Sequence, residues 1–199
     1  MARPKSEDKR DALIAAATEV IAAQGLSAPT AAIARGAGVS NGSLFTYFDT
    51  KADLFNQLYL ELKTGMAAAT MEGLRAEAPL REQFSLMWAN WMRWATSNPD
   101  KRRALALLDG CDDITGQTRA ASHQAMSDVA ELVEQARADG PMRDVPMDFV
   151  VAMMSSLAEA TMDFMVSDPE HADEHRGAGF DALRRMLGET NQRAAFSPR

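Results

Sequence analysis

The segment Thr30-Ala31-Ala32-Ile33-Ala34-Arg35-Gly36-Ala37-Gly38-Val39-Ser40-Asn41-Gly42-Ser43-Leu44-Phe45-Thr46-Tyr47-Phe48 leaves the backbone little choice. Ile33 and Ala34 form the inner face of a helix one to two turns long. Gly38 then permits a left-handed turn, so that two helices can cross at a steep angle. Val39 fills the angle between them, and Ser40 caps the next helix with its hydroxyl. Leu44 and Phe48, four apart, turn inward and leave Asn41, Gly42, Ser43, Thr46 and Tyr47 facing out. This is helix-turn-helix geometry, with the second helix suited to a DNA major groove. A packing unit with no nucleic-acid role could use Gly38 and Leu44 in the same way. The small residues at 41–43 argue against it, because they leave room for a groove wall.

The rest of the chain reads as helix, with no run of β-branched and aromatic residues alternating at period two. A first helix is expected from about Ser6 to Gln24, apolar at Leu13, Ile14, Ala17, Val20 and Ile21 and closed by Gly25 and Leu26. A fourth helix starts near Thr50 and carries Leu54, Leu58 and Leu62. Pro79 opens a helix with an inward stripe of Leu80, Phe84, Met87, Trp88, Trp91, Met92 and Ala95. Asn98-Pro99-Asp100 restarts the chain as helix. Further helices are expected from Thr115 to Gly140, from Pro146 to before Asp168, and from about Ala178 to Leu187. The expectation is an all-α protein of about nine helices. Residues 6–64 would form the helix-turn-helix domain, with its motif at about 29–48. Residues 65–190 would form a helical bundle for sensing and dimerisation, and 191–199 a flexible tail.

Charge alone would not have suggested DNA, since the net charge is -7. Residues 1–63 balance 7 basic against 7 acidic residues, and the remainder carries the whole deficit. Arg3, Lys5, Lys9 and Arg10 bias the N-terminal head toward phosphate. A single cysteine, Cys111, rules out an intramolecular disulfide and fits a reducing, cytoplasmic setting. No run of 18 apolar residues is present, so no membrane-spanning helix is expected.

Ile33-Ala34, Ala37-Gly38-Val39-Ser40, Gly42-Ser43-Leu44-Phe45, Tyr47-Phe48, Lys51 and Leu54, together with Arg10, Ala17 and Gly25, resemble the DNA-binding domain of TetR/AcrR-type transcriptional regulators. The resemblance runs from about Arg10 to Leu58; beyond it only the all-helical layout is similar. It implies that Ser40, Asn41, Gly42, Ser43, Thr46 and Tyr47 lie on double-stranded DNA. Thr30 would touch the DNA backbone, and Lys51 would pair with a phosphate at the start of the fourth helix. It further implies a homodimeric repressor on a near-palindromic operator, with no catalysis and no cofactor. Two departures bear on recognition. Phe45 stands where the family usually has Tyr, which removes a phosphate-reaching hydroxyl. Ala31 stands where a longer polar reader is often found, which shifts base reading to the third helix.

In the second domain, Trp88, Trp91 and Trp94 share one side of their helix. With Met87, Met92 and Met126 they form a candidate pocket for a small, largely apolar effector, although ordinary core would look the same. The helix from Met147 to Val166 is apolar over most of its circumference, so more than one of its sides must be covered. Its Phe149, Met153, Leu157 and Phe164, with Phe180, Leu183 and Leu187 of the last helix, are the candidate dimer interface. Gly38-x-Ser40-x-Gly42 has the spacing of a hydrolase nucleophile elbow, but no strand precedes it. Asp109, Asp112, Asp113 and His123 lack the spacing of a metal site and read as loop caps. His171 and His175 are expected to be exposed in a linker.

Overall fold

The computed structural model of the protein describes residues 5–188. Arg3 and the expected 191–199 tail lie outside the described residues. Ten α-helices and no strand occur among them: α1 Lys5–Gln24, α2 Thr30–Gly36, α3 Asn41–Leu44, α4 Lys51–Met71, α5 Leu80–Ser97, α6 Pro99–Asp109, α7 Gly116–Ala125, α8 Ser127–Arg137, α9 Met147–Ser167 and α10 Ala172–Leu187. A 3₁₀ turn, Pro169–His171, precedes α10. The single helix expected from Thr115 to Gly140 is in fact two. Met126 leaves helical geometry, and Ser127-Asp128 open α8 with an acidic residue in its first turn, favourable to the helix dipole. The last helix begins at Ala172, earlier than its apolar spacing indicates.

The chain divides into two compact units, Met1–Ala68 with Ser97–Ser127, and Ala69–Thr96 with Asp128–Arg199. In the first, Leu13, Ala17, Ile21, Ile33, Leu44, Phe48, Leu54 and Leu58 are completely buried. Each of the Leu, Ile and Phe side chains among them contributes about 1.5–3 kcal/mol by leaving water. Small residues set the crossing of α1 and α2: a Cβ on Gly36 would meet the Cβ of Ala16 at 3.2 Å. α6 packs on α1 and buries Ala104, Leu105 and Leu108. Arg10 donates to Gln57 at 2.9 Å and to Glu61, with its guanidinium 5.9 Å from the Phe48 ring centre. The sequence counts Arg10 among the phosphate-seeking cations; here it ties α1 to α4.

The second unit is built on Phe84, Met87, Trp88 and Met92 of α5, Leu132 and Val133 of α8, Val150, Met154, Ala158 and Met162 of α9, and Leu183 and Leu187 of α10. Asn90, buried on α5, donates to the carbonyls of Thr70 and Glu72 at 3.1 and 2.8 Å, satisfying acceptors at the C-terminal end of α4. Buried Arg137 pins the α8–α9 loop by donating to the carbonyls of Met142 and Val145. Asp168 accepts from His171 and His175 at 3.0 Å each, and these bonds hold its carboxyl below the usual carboxylate range. His175 is half-buried rather than exposed, its ring centre 5.6 Å from that of Phe164.

Leu183 and Leu187, expected at a dimer interface, lie at 0% exposure in the core of their own chain. Their four-residue spacing faces α9 from inside the unit. Phe180 is half-buried between Phe84, 6.0 Å between ring centres, and the Arg184 guanidinium at 5.5 Å. On α9, by contrast, Phe149 and Phe164 are 57% and 61% exposed, with Met153 and Leu157 half-buried. α9 also meets the length and mean hydropathy, 1.4, of a membrane-crossing helix, which a search for uninterrupted apolar runs misses. One side of it is committed to the core through Val150, Met154, Ala158 and Met162, while Asp148, Glu159 and Asp163 are exposed.

Candidate nucleic-acid interface

Local hydrogen bonds shape the α2–α3 segment. The end of α2 is closed by bonds from Ala37 N to Ile33 O, Gly38 N to Arg35 O and Val39 N to Ala34 O, at 3.0, 3.1 and 2.9 Å. Gly38 takes φ +70°, as its place in the turn requires. Ser40 is extended, and its Oγ accepts from Ser43 N at 3.1 Å, capping α3. α3 itself is a single turn. It is prolonged to Phe48 by bonds from Thr46 N to Ser43 O and from Tyr47 N and Phe48 N to Leu44 O. Leu44 and Phe48, both fully buried, anchor this short segment in the core of the first unit.

Burial on one side sets what the other side offers. Asn41, Gly42, Phe45 and Thr46 are exposed, in the order i, i+1, i+4 and i+5; Ser43 and Tyr47 are half-buried. Thr30 is half-buried at the start of α2. The hydroxyls are partly spent within the chain. Thr46 Oγ1 donates its one proton to Ser43 O at 2.7 Å, and the Ser40 and Ser43 hydroxyls share a bond at 3.0 Å. Thr46 is therefore left with acceptor capacity, whereas a phosphate needs a donor. Gly42 adds no side chain, and a Cβ there would meet only Ser40 Oγ, at 3.9 Å.

The start of α4 borders this surface. Thr50 Oγ1 accepts from Asp53 N and Asp53 Oδ2 accepts from Asp49 N, both at 3.0 Å, a reciprocal cap. Lys51 is half-buried, donates to Leu26 O at 2.7 Å and lies 5.3 Å from the Phe55 ring centre. That bond uses one of its three ammonium protons and fixes where the others point.

The sequence reading notes Phe45 only as a departure from the usual Tyr, without its exposure, and passes over a row of residues on α4. Phe45 is 42% exposed, on the same face as Asn41 four residues earlier; the i, i+4 spacing was the available signal. Along α4, Asn56, Tyr59 and Lys63 also follow a helical spacing and grip the α6–α7 turn. Asn56 donates to Asp113 O at 2.8 Å and accepts from Thr115 N at 2.9 Å. Asp109 accepts from Tyr59 OH at 2.8 Å and pairs with Lys63 at 3.0 Å. Burial, reinforced by that hydrogen bond, pushes the Tyr59 phenol up to about 12.

The candidate effector residues fall as follows. Met87, Trp88 and Met92 are closed into the core of the second unit, with 0–1% exposure. Trp91 and Trp94 are half-buried beside it, Trp91 edge-on to Trp88 at 5.9 Å. Trp88 Nε1 donates to Arg176 O at 3.1 Å. Met126 is half-buried at the end of α7, in the first unit.

Residues 13–58 match the family model described as bacterial regulatory proteins, tetR family. Among solved structures, a provisionally named tetR family transcription regulator from Shewanella sp. PV-4 is 27% identical, over 89% of this chain and 96% of that one, with a TM-score of 0.79. A TetR family transcription regulator from Marinobacter aquaeolei VT8 is 21% identical, over 93% and 98%, with a TM-score of 0.82. The transcriptional regulator FadR from Bacillus subtilis, solved in complex with stearoyl-CoA, is 18% identical over 90% and 98%, with a TM-score of 0.65. The capped helix-turn-helix and the match over residues 13–58 give this chain a DNA-binding domain of the tetR-family type, and the likeness along the rest of the chain gives it the all-helical fold of such regulators.

Proposed function

We propose that the protein is a cytoplasmic, homodimeric transcriptional repressor that binds a near-palindromic operator and leaves it when a small, largely apolar ligand binds. The carrying observation is the exposed strip on α3, held outward by the complete burial of Leu44 and Phe48 and capped by Ser40. Small residues there let the backbone approach a groove wall, and Asn41 offers a base-reading amide. Thr30, Ser43, Tyr47 and Lys51 supply the surrounding contacts, mostly to phosphate. Asn41→Ala and Ser43→Ala should change the preferred sequence in fluorescence-anisotropy titrations; unchanged preference would refute the assignment of this face.

Dimerisation is supported by α9. Phe149, Met153, Ser156, Ala160 and Phe164 line its outward side at helical spacing, and only 28% of its apolar window is buried within one chain. A second copy covering that side would bring two heads together, with recognition helices about 34–36 Å apart, one turn of DNA. For the ligand, support comes from the Trp91 and Trp94 edge beside the Met- and Trp-rich core, and from the stearoyl-CoA held by a neighbour of the same fold. Release is a population shift: the ligand favours an arrangement in which α4 moves and the spacing of the heads changes. A coupling of about 1–3 kcal/mol alters operator affinity about 5–150-fold. Long-chain acyl-CoA and other apolar molecules, screened by Trp fluorescence, should include one that lowers operator affinity. Ligands that bind tightly and never alter it would refute induction.

A further inference from the structure

The exposed strip of α3 is short of free donors. Of its four residues, Gly42 has no side chain and Thr46 has given its hydroxyl proton to Ser43 O. Beside them the Ser40 and Ser43 hydroxyls bond each other, which spends one of their two protons. What remains on the strip itself is the Asn41 amide and, four residues on, the Phe45 ring, 42% exposed on the same face. Phe45 is the only large hydrophobic side chain of the first unit's described residues left exposed in this way, whereas Leu44 and Phe48 on either side are completely buried. A phenyl ring can neither donate to nor accept from a phosphate. In the major groove it has one good apolar counterpart, the C5-methyl group of thymine.

Building on the DNA reading above, we propose that Phe45 is a specificity-determining residue: its ring packs on a thymine methyl in each operator half-site, beside the base read by Asn41. Gly42, one turn back on the strip, lets the helix come close enough for the contact. Burying one methyl favours thymine over its unmethylated analogue by about fourfold per half-site.

The test starts from duplexes selected by the full-length protein from a random pool. Each thymine of the selected site is replaced in turn by deoxyuridine, which removes the methyl and leaves pairing intact. Wild type, Phe45→Ala and Phe45→Leu are then titrated by anisotropy, with helix content checked by circular dichroism. The expected result is one thymine per half-site at which deoxyuridine weakens wild type about fourfold and leaves Phe45→Ala unaffected, with Phe45→Leu in between. The proposal is overturned if no thymine is sensitive. It is equally overturned if Phe45→Ala is as sensitive as wild type, or loses affinity for all duplexes alike, as a sugar–phosphate contact would require. If wild type enriches no duplex at all, the DNA reading fails and this proposal fails with it.

Discussion

Two glycines on α10, two residues apart, should respond to alanine with opposite signs. A Cβ on Gly179 would lie 2.3 Å from Thr161 Oγ1, 2.9 Å from Thr161 Cγ2 and 3.1 Å from Trp88 Cζ2. Neither neighbour yields freely: Thr161 and Trp88 are 6% and 1% exposed, and Thr161 Oγ1 donates to Leu157 O at 2.8 Å. Overpacking of this kind costs about 1–3 kcal/mol. Turning Thr161 aside to relieve it gives up a hydrogen bond worth about 1 kcal/mol. Alanine returns about 1 kcal/mol through helix propensity. Gly179→Ala is therefore expected to destabilise by about 1–3 kcal/mol. At Gly177 a Cβ would meet nothing within 4 Å, so only the propensity gain remains and Gly177→Ala should stabilise by up to about 1 kcal/mol. Thermal melts at one fixed protein concentration should separate the two variants by on the order of 10 °C. Thr161→Ala added to Gly179→Ala should recover part of the loss, since it removes the two nearest atoms. Equal stability of the two single variants would refute the view that Gly179 sets the approach of α10 to α9.

Phe164→Glu, placing a charge at the C-terminal end of the proposed α9 face, should turn a sedimenting dimer into monomer at micromolar concentration with helix content unchanged; a monomeric wild type would contradict the interface. Lys51→Ala should weaken binding to all duplexes and lower the salt slope of operator affinity by about one unit, read from titrations at several salt concentrations. The Tyr59 phenol, raised by burial and by Asp109, stabilises the fold fully below the ordinary tyrosine value near 10, and that contribution is lost as pH rises through about 12. In a Tyr47→Phe variant, which leaves Tyr59 as the one tyrosine, ultraviolet titration should show no phenolate until that range.

The features legible in the sequence were those settled within a few residues. Gly25 and Gly38 take the positive φ their turns require, and Ser40, Thr50 and Thr115 each accept from the N–H three residues on. Such bonds depend on local spacing alone. The break at Met126 carries no glycine or proline and left no mark. Apolar stripes were legible too, but a stripe does not name its partner: Leu183 and Leu187 look like Phe149 and Phe164 in sequence, yet one pair is sealed in the chain's own core and the other is exposed. Lys51 meets Leu26 across 25 residues, and Asn56 meets Thr115 across 59, distances over which no periodicity extends. The same holds for the recognition strip. Its polar residues were evident, but the commitment of their hydroxyls, and with it the weight placed on Asn41 and Phe45, appears only once the side chains are in position.

The central claim is that the α3 strip reads DNA sequence as one half of a two-fold pair. Repeated selection of duplexes from a random pool by the full-length protein tests it most directly. Enrichment of a single near-palindrome is expected, with half-site centres one helical turn apart, about 10–10.5 base pairs, or a multiple of it. That preference should be lost or altered in Asn41→Ala. Failure to enrich any motif, or the same motif recovered by wild type and Asn41→Ala, would contradict it.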